Sequence, residues 1–251
     1  MYSYLSQNYR LRPGDVKSAA RTLQILEILA KFPEGLSLTE IEKRLGIPIS
    51  SLHGLMLTLV NWDFATKTHT SNIYRLGPKL VQLALSYRSQ SDLVSIVDPF
   101  MMKLKQQTAE TVSLTVLQGN MILFIHKHTA EGRVQIVNPV GTRLHAHASG
   151  SGKVMLAYLS EDEIDKLYPE EELVTPTKNT IKTRSELKEE LAEIKRLEYA
   201  FDKEESEIGV WAVAGCIRDP DGNPIAALSV AAPVFRLSGT DYREWPRYII
   251  E

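Results

Sequence analysis

Apolar positions recur at three- and four-residue spacing through the first third of the chain and then give way to alternation, which predicts a helical block followed by a mixed one. Residues 15–31, DVKSAARTLQILEILAK, set Ala19, Leu23, Ile25, Leu26, Ile28 and Leu29 on a broad apolar face, behind an Asp15 or Ser18 able to cap the first turn. A Pro-Gly break, FPEGLSL, leads to TEIEKRLG, where Thr39 stands three residues before Glu42 as a capping pair and Gly46 ends the helix. Pro48 and Ser50/Ser51 open ISSLHGLMLTLV, with Leu52, Leu55, Met56 and Leu59 as its apolar stripe. Two short helices about a Gly-containing turn, the second with small polar residues at its start, have the form of a helix-turn-helix. FATKTHTSNIYRLG then alternates toward a hairpin with Lys67, His69 and Asn72 at its tip, in the place of a wing.

Leu76–Val94 reads as a linker helix starting near Pro78, and Asp98–Ala109 as a further helix with Phe100, Met101 and Leu104 apolar. The period then falls to two: TVSLTVLQGNMILFIHK is a hairpin about Gln118, Gly119 and Asn120, and residues 132–148 continue as strand. Ser149–Leu159 reads as a helix, followed by the charged helices EDEIDKLY and TRSELKEELAEIKRLEYA. GVWAVAGCIRD and PIAALSVAAPV return to strand on either side of a turn at Pro220–Pro224. The second block is therefore an α+β domain with an antiparallel sheet flanked by helices.

With 251 residues, 43% of them apolar and 24% charged, the chain is expected to be globular and to hold two domains. Cutting near residue 90 changes the meaning of the net charge of -2: the first part holds 11 Lys/Arg against 6 Asp/Glu, the remainder 18 against 25. The first part is the candidate polyanion binder. The single cysteine, Cys216, excludes an internal disulfide; no apolar run approaches the ~20 residues of a membrane span, and the start lacks a signal-peptide pattern, so a cytoplasmic protein is expected.

Recognition-helix logic assigns Ser50, Ser51 and His53 to base edges, since the first turn of such a helix reaches them. Phosphate contacts fall to Lys17, Arg21, Lys43, Arg44, Lys67 and Arg75, with His69 beside them on the wing. Enzyme motifs fail: SGSGK would need its first Gly at His147 and has Val154 where a P-loop needs Ser/Thr, while ASGSG has Ala148 in place of the first Gly of a nucleophile elbow. The pairs His126/His128 and His145/His147 could offer imidazoles to a metal, but they lie in separate strands, and no acid or cysteine completes a recognised spacing, so no metal and no cofactor are expected. Cys216, in an apolar run, reads as a buried inert thiol. Ser149–Gly152, just before an apolar helix, either caps that helix or presents free N–H groups to a small carboxylate. Asp202 sits in an acidic run and either points inward or is solvated.

VKSAARTLQILEIL, LSLTEIEKRLGIPISSLHGLMLTLV, YRLGPKLVQLA, GTRLHAHASGSGKVMLAYL and YAFDKEESEIGVWAVAGCIRDPDGNPIAALSVAAP together resemble the IclR family of bacterial transcription regulators, from about Val16 to Pro233. The resemblance implies a residue 1–13 arm, a winged helix-turn-helix domain over 14–76, a linker helix over 77–93 and a GAF-like effector-binding domain over 94–251. It also implies a homodimer or dimer of dimers on a double-stranded DNA operator, and no catalysis. By the same resemblance, a small carboxylate effector would meet the Gly150/Ser151 backbone, Asp202, Ala212, Ser229 and Ala231, with Leu144 and Val210 as apolar neighbours. Two departures stand out. Gly54 follows His53 where relatives usually carry a basic residue, and Ala212 and Ala231 replace what are often Cys and Ser. The effector expected is a carboxylate with an apolar or aromatic body. The other readings of the residues are a metal-dependent hydrolase built on the HxH pairs and a ligand-binding module with weakened DNA binding.

Overall fold

A computed structural model of the chain describes residues 13–68, 72–90, 92–131, 134–136, 138–238 and 242–250. It divides into two compact units between residues 91 and 92.

The first unit opens with α1 (Lys17–Lys31), α2 (Leu38–Leu45) and α3 (Ile49–Asn61), followed by β1 (Ala65–Lys67), β2 (Tyr74–Leu76) and α4 (Lys79–Gln90). Three helices close around Ile25, Ile28, Leu29, Ile41, Leu52, Met56 and Leu59, with Ala65 and Tyr74 of the hairpin sealing one side. Capping differs from expectation at both early helices. Val16 precedes α1 without a side-chain cap, and the capping box of α2 is Ser37–Glu40, two residues before the expected Thr39–Glu42 pair. Ser37 wins because Leu38 already takes helical geometry, so Ser37 is the last extended residue and its hydroxyl can reach the Glu40 N–H. Leu23, expected on the apolar face, is 62% exposed; α1 buries only the narrower stripe of Ile25, Ile28 and Leu29. Gly46 terminates α2 in the left-handed region (φ 64°), which turns the chain into α3. The hairpin pairs Ala65 with Leu76 and Lys67 with Tyr74, and Leu36 joins it by a bridge to Tyr74.

In the second unit α5 (Asp92–Thr108), β3 (Thr111–Gln118), β4 (Met121–His128) and β5 (Arg143–His145) precede α6 (Gly150–Leu156), α7 (Glu161–Leu167) and α8 (Arg184–Leu197). Strands β6 (Tyr199–Lys203), β7 (Val210–Arg218) and β8 (Pro224–Pro233) follow, then α9 (Val234–Leu237) and α10 (Trp245–Ile250). All six strands form one antiparallel sheet in the order β5-β4-β3-β8-β7-β6. Side chains of α6 and α8 pack on one face with Ile122, Phe124, Ala214 and Ala227. Opposite them α5 and α10 cover Val112, Leu114, Val213 and Val230.

Several boundaries move from their sequence positions. Helix α5 begins at Asp92 and carries Pro99 inside it, because Val94, Val97, Met101 and Leu104 form one buried stripe whose packing outweighs the hydrogen bond lost at the proline; Phe100 is left exposed. The linker helix correspondingly ends at Gln90 rather than Val94. Of residues 132–148, only Arg143–His145 is strand, with Ala146–Ala148 a 3-10 turn and residues 132, 133 and 137 outside the described set. Helix α6 stops at Leu156, short of Leu159. Tyr199 and Ala200, read as helix, belong to β6: Glu198 adopts φ 66° and ends α8, so the aromatic-apolar run beyond it pairs with β7.

Candidate functional site

On α3, Leu52, Met56 and Leu59 face the core, which leaves Ser50, Ser51, His53 and Gly54 exposed on the other side. Ser50 and Ser51 occupy the first turn, and their hydroxyls are not consumed by capping, since Pro48 precedes the helix without a side-chain cap. An added Cβ at Gly54 would find no atom within 4 Å among the described residues. Lys43 and Arg44 stand exposed in the last turn of α2, Lys67 and Arg75 lie on the hairpin, and Lys17 and Arg21 lie in the first turns of α1. Some of these cations already have work inside the unit. Arg44 lies 4.5 Å over the Phe32 ring and donates to the Glu40 carbonyl, and Arg75 donates to the Glu34 carbonyl at 3.0 Å. His69 lies outside the described residues.

The second unit holds a cavity, open at one side, between the α6 face of the sheet and the N-terminus of α6. Leu144, Gly150, Ser151, Asp202, Val210, Ala212, Ser229 and Ala231 all line it. Its floor follows the register: Ala231 pairs with Thr111 and Ala212, Ser229 with Ser113, and Asp202 with Ala212, so one face of β3, β8, β7 and β6 supplies the row. Ser149 caps α6 by accepting from the Gly152 N–H at 3.1 Å, and a Cβ at Gly152 would stand 2.1 Å from the Ala146 oxygen, so Gly152 is required by packing. Gly150 and Ser151, the first residues of α6, line the cavity.

Asp202 points inward and is 3% exposed. Its Oδ1 accepts from the Glu205 N–H at 2.8 Å and the Ser206 N–H at 3.3 Å, and its Oδ2 accepts from the Ser206 hydroxyl. Burial raises its pKa, and these hydrogen bonds pull it back. Behind it Lys153, wholly buried, reaches Glu205 and Glu190 at 2.6 Å each. Lys153 thus ties α6 to the turn that holds Asp202.

Ser149, from the run read as a cap or an anion site, also lines the cavity, and further lining residues were not legible as site residues: Thr111, Ser113, Ile122, Phe124, Lys127, Ile136, Asn138 and Ser206. Lys127 matters most, because it brings a cation to the cavity. Its Nζ donates to the carbonyls of Ile136 and Asn138, both at 3.3 Å, and burial lowers its pKa. Alternation from Ile122 and Phe124 would place residue 126 in the cavity and residue 127 outside. A bulge reverses the parity: Leu114 pairs with His126 but Thr115 with Phe124, so Ile125 is the extra residue and Lys127 turns inward.

The two HxH pairs do not converge. His145 pairs with Met121 at the start of β4, whereas His126 and His128 lie at its end. His147 is buried, its Nε2 donates to the Val174 carbonyl at 2.7 Å, and burial lowers its pKa toward the neutral form. The Cys216 thiol is pushed up by burial to about 12, which removes thiolate chemistry at neutral pH.

A winged helix-turn-helix unit followed by an α+β unit with an open cavity of mixed polar and apolar lining defines a two-domain transcription regulator. Residues 18–69 match the IclR helix-turn-helix domain, and residues 85–250 match the family described as bacterial transcriptional regulator IclR C-terminal. Over 240 residues the chain is 30% identical to the transcriptional repressor IclR of Escherichia coli K12, covering 95% of this chain and 88% of that protein. It is 31% identical, with the same coverage, to the acetate operon repressor of Salmonella typhimurium. In structure it is similar to the IclR protein of Thermotoga maritima, with TM-score 0.73, 26% identity, and 94% and 95% of the two chains covered. The chain belongs to the IclR family of bacterial transcriptional regulators. It is a DNA-binding regulator, and among the described residues no helix is long and apolar enough to cross a membrane.

Proposed function

We propose that the second unit binds a small carboxylate with an apolar or aromatic body, and that occupancy sets the affinity of the first unit for a double-stranded operator, bound by a homodimer or dimer of dimers in the cytoplasm. The observation that carries the reading is the cavity's composition. Hydroxyls of Thr111, Ser113 and Ser229 and the backbone of Gly150 and Ser151 supply donors, Lys127 supplies a cation, and Ile122, Phe124, Leu144 and Val210 supply apolar wall. Alanine at 212 and 231 leaves a polar group of a very small acid unpaired over that part of the floor, at a cost of about 1 to 3 kcal/mol. Support comes from a similar structure, an IclR homologue of Microbacterium hydrocarbonoxydans complexed with 4-hydroxybenzoate, with TM-score 0.79, 24% identity, and 93% and 94% of the two chains covered. Asp202 serves chiefly to hold the 202–206 turn and offers its remaining oxygen capacity to a ligand hydroxyl.

Thermal-shift titration tests this with 4-hydroxybenzoate, benzoate, longer aliphatic acids, pyruvate and glyoxylate. A ligand at about 100 times its Kd adds roughly 2.7 kcal/mol of stability. Aromatic or longer-chain acids should stabilise, and Lys127→Met should cut their affinity about tenfold or more, the worth of a charge-assisted hydrogen bond. Stabilisation by glyoxylate or pyruvate alone would overturn the proposed preference.

A further inference from the structure

The bulge that turns Lys127 into the cavity also turns His126 and His128 to the opposite face of the sheet, against α5. Asp98 of α5 meets them there. Its Oδ1 stands 2.7 Å from His126 Nε2 and 2.8 Å from His128 Nε2, and the three ligand atoms lie within 4.8 Å of one another. The two rings sit edge to face with centroids 5.1 Å apart. The side chains are 18%, 22% and 41% exposed for His126, His128 and Asp98, so the group is half-sheltered and open to water on one side. Among the described residues no lysine or arginine pairs with Asp98.

We propose that Asp98, His126 and His128 form a binding site for one divalent transition-metal ion of the zinc class, across the sheet from the ligand cavity. Two imidazoles and one carboxylate suit borderline divalent ions and leave a position open, whereas calcium and magnesium call for all-oxygen sites. Ligands ~2.0–2.1 Å from a tetrahedral ion stand ~3.4 Å apart, so each contact to Oδ1 must open by roughly 0.6 Å, within reach of small side-chain rotations at part-exposed positions. Binding exchanges the two imidazole N–H···O hydrogen bonds for metal–nitrogen bonds; a neutral ring moves its proton to Nδ1, and an imidazolium releases its Nε2 proton to solvent and keeps the one on Nδ1. The ion would fasten α5, the first element of the second unit, to β4. The spacing hid this site: the acid lies 28 and 30 residues from the histidines, on a different element.

The test uses the full, tag-free chain stripped with chelator and titrated with ZnCl2 in a non-coordinating buffer against a chromophoric competitor. One equivalent should bind per chain. Asp98→Asn, His126→Gln and His128→Gln should each lower affinity by about 100-fold, at least what loss of a supporting group around a metal costs. His145→Gln and Cys216→Ser should leave it unchanged. Melting temperatures in chelator report whether each variant folds. Should a histidine variant fail to fold, Asp98→Asn and the Co(II) spectrum of the unmodified chain decide: d–d bands of four- or five-coordinate nitrogen and oxygen ligation, without a thiolate charge-transfer band, support the site. Sub-stoichiometric zinc, an octahedral Co(II) spectrum, or full binding retained in Asp98→Asn overturns it.

Discussion

Gly54 offers a direct handle on how strongly this regulator can hold DNA. It lies within α3, exposed, four residues after Ser50 and three after Ser51, so a side chain there falls on the same face as the residues assigned to base edges. A Cβ at this position meets no atom within 4 Å among the described residues, so packing within the unit does not require glycine. Substitution therefore has two separable effects. Gly54→Ala removes the helix-interior penalty of glycine and should stabilise the first unit by about 0.8–1 kcal/mol. Gly54→Arg should gain nearly as much and also add one phosphate contact per subunit. For a dimer that is two contacts, which deepens the slope of log K against log salt by roughly 1.8. Urea unfolding followed by circular dichroism measures the first effect. Fluorescence anisotropy on the protein's own promoter DNA, at several salt concentrations, measures the second. Alanine should stabilise with an unchanged salt slope, and arginine should stabilise, bind more tightly and steepen the slope. An arginine variant that gains stability without any change in slope refutes the missing-contact explanation, and a destabilised alanine variant refutes the open-space reading itself.

On the same face, Ser51→Ala should relax base preference at one operator position, whereas Lys43→Ala should weaken binding to all sequences alike, read by anisotropy on operator and scrambled DNA; loss of preference in Lys43→Ala instead would reverse the assignment. Lys43 is a better probe than Arg44, whose place over Phe32 mixes folding with DNA contact. In the second unit, Lys153→Met strips both ion pairs and leaves the buried Glu205 uncompensated, an expected loss of about 3–5 kcal/mol in chemical denaturation. Adding Glu205→Gln should recover part of that loss, and a double variant no more stable than Lys153→Met would show that charge is not the cause.

What the sequence disclosed follows from the range of the interactions involved. The three-helix unit and its wing rest on local signals, such as the stripe of Leu52, Met56 and Leu59 and the Gly46 stop, and these were legible. The β3–β4 hairpin was too, because Gly119 at φ 61° and Asn120 mark its turn. The pairing of β3 with β8 carries no such local mark, yet it creates the cavity floor by setting Ser113 beside Ser229 and Thr111 beside Ala231. Of the eight cavity positions named from the sequence, Gly150 and Ser151 were also marked by the Ser149–Gly152 run before an apolar helix, and the others were assigned through family resemblance and not through spacing. Lys127 was missed for a stricter reason: strand alternation points the wrong way, and only the bulge at Ile125 corrects it. The same single-residue insertion explains why Asp98 went unpaired with the histidines.

The charges around the cavity constrain what it can hold. Asp202 alone would make the site repel an anion, and burial, by stripping water from its carboxylate, raises its pKa. Its carboxylate is occupied instead by the Glu205 and Ser206 N–H groups and the Ser206 hydroxyl, all within its own turn. Glu205, drawn to Lys153, fixes that turn from behind, and Lys153 belongs to the helix whose first residues, Gly150 and Ser151, face the cavity. The acid is thus a structural member of one wall. Lys127, on β4, lies four strands from β6 in the sheet order, roughly 19 Å at about 4.8 Å per step, and its two partners are uncharged carbonyls. A cation with no acidic partner among the described residues, across the floor from a satisfied acid, leaves room for one negative charge in the ligand, while Ile122 and Phe124, on the same strand as Lys127, offer no partner to a second. A monocarboxylate with an apolar body meets those conditions, and a dicarboxylate does not.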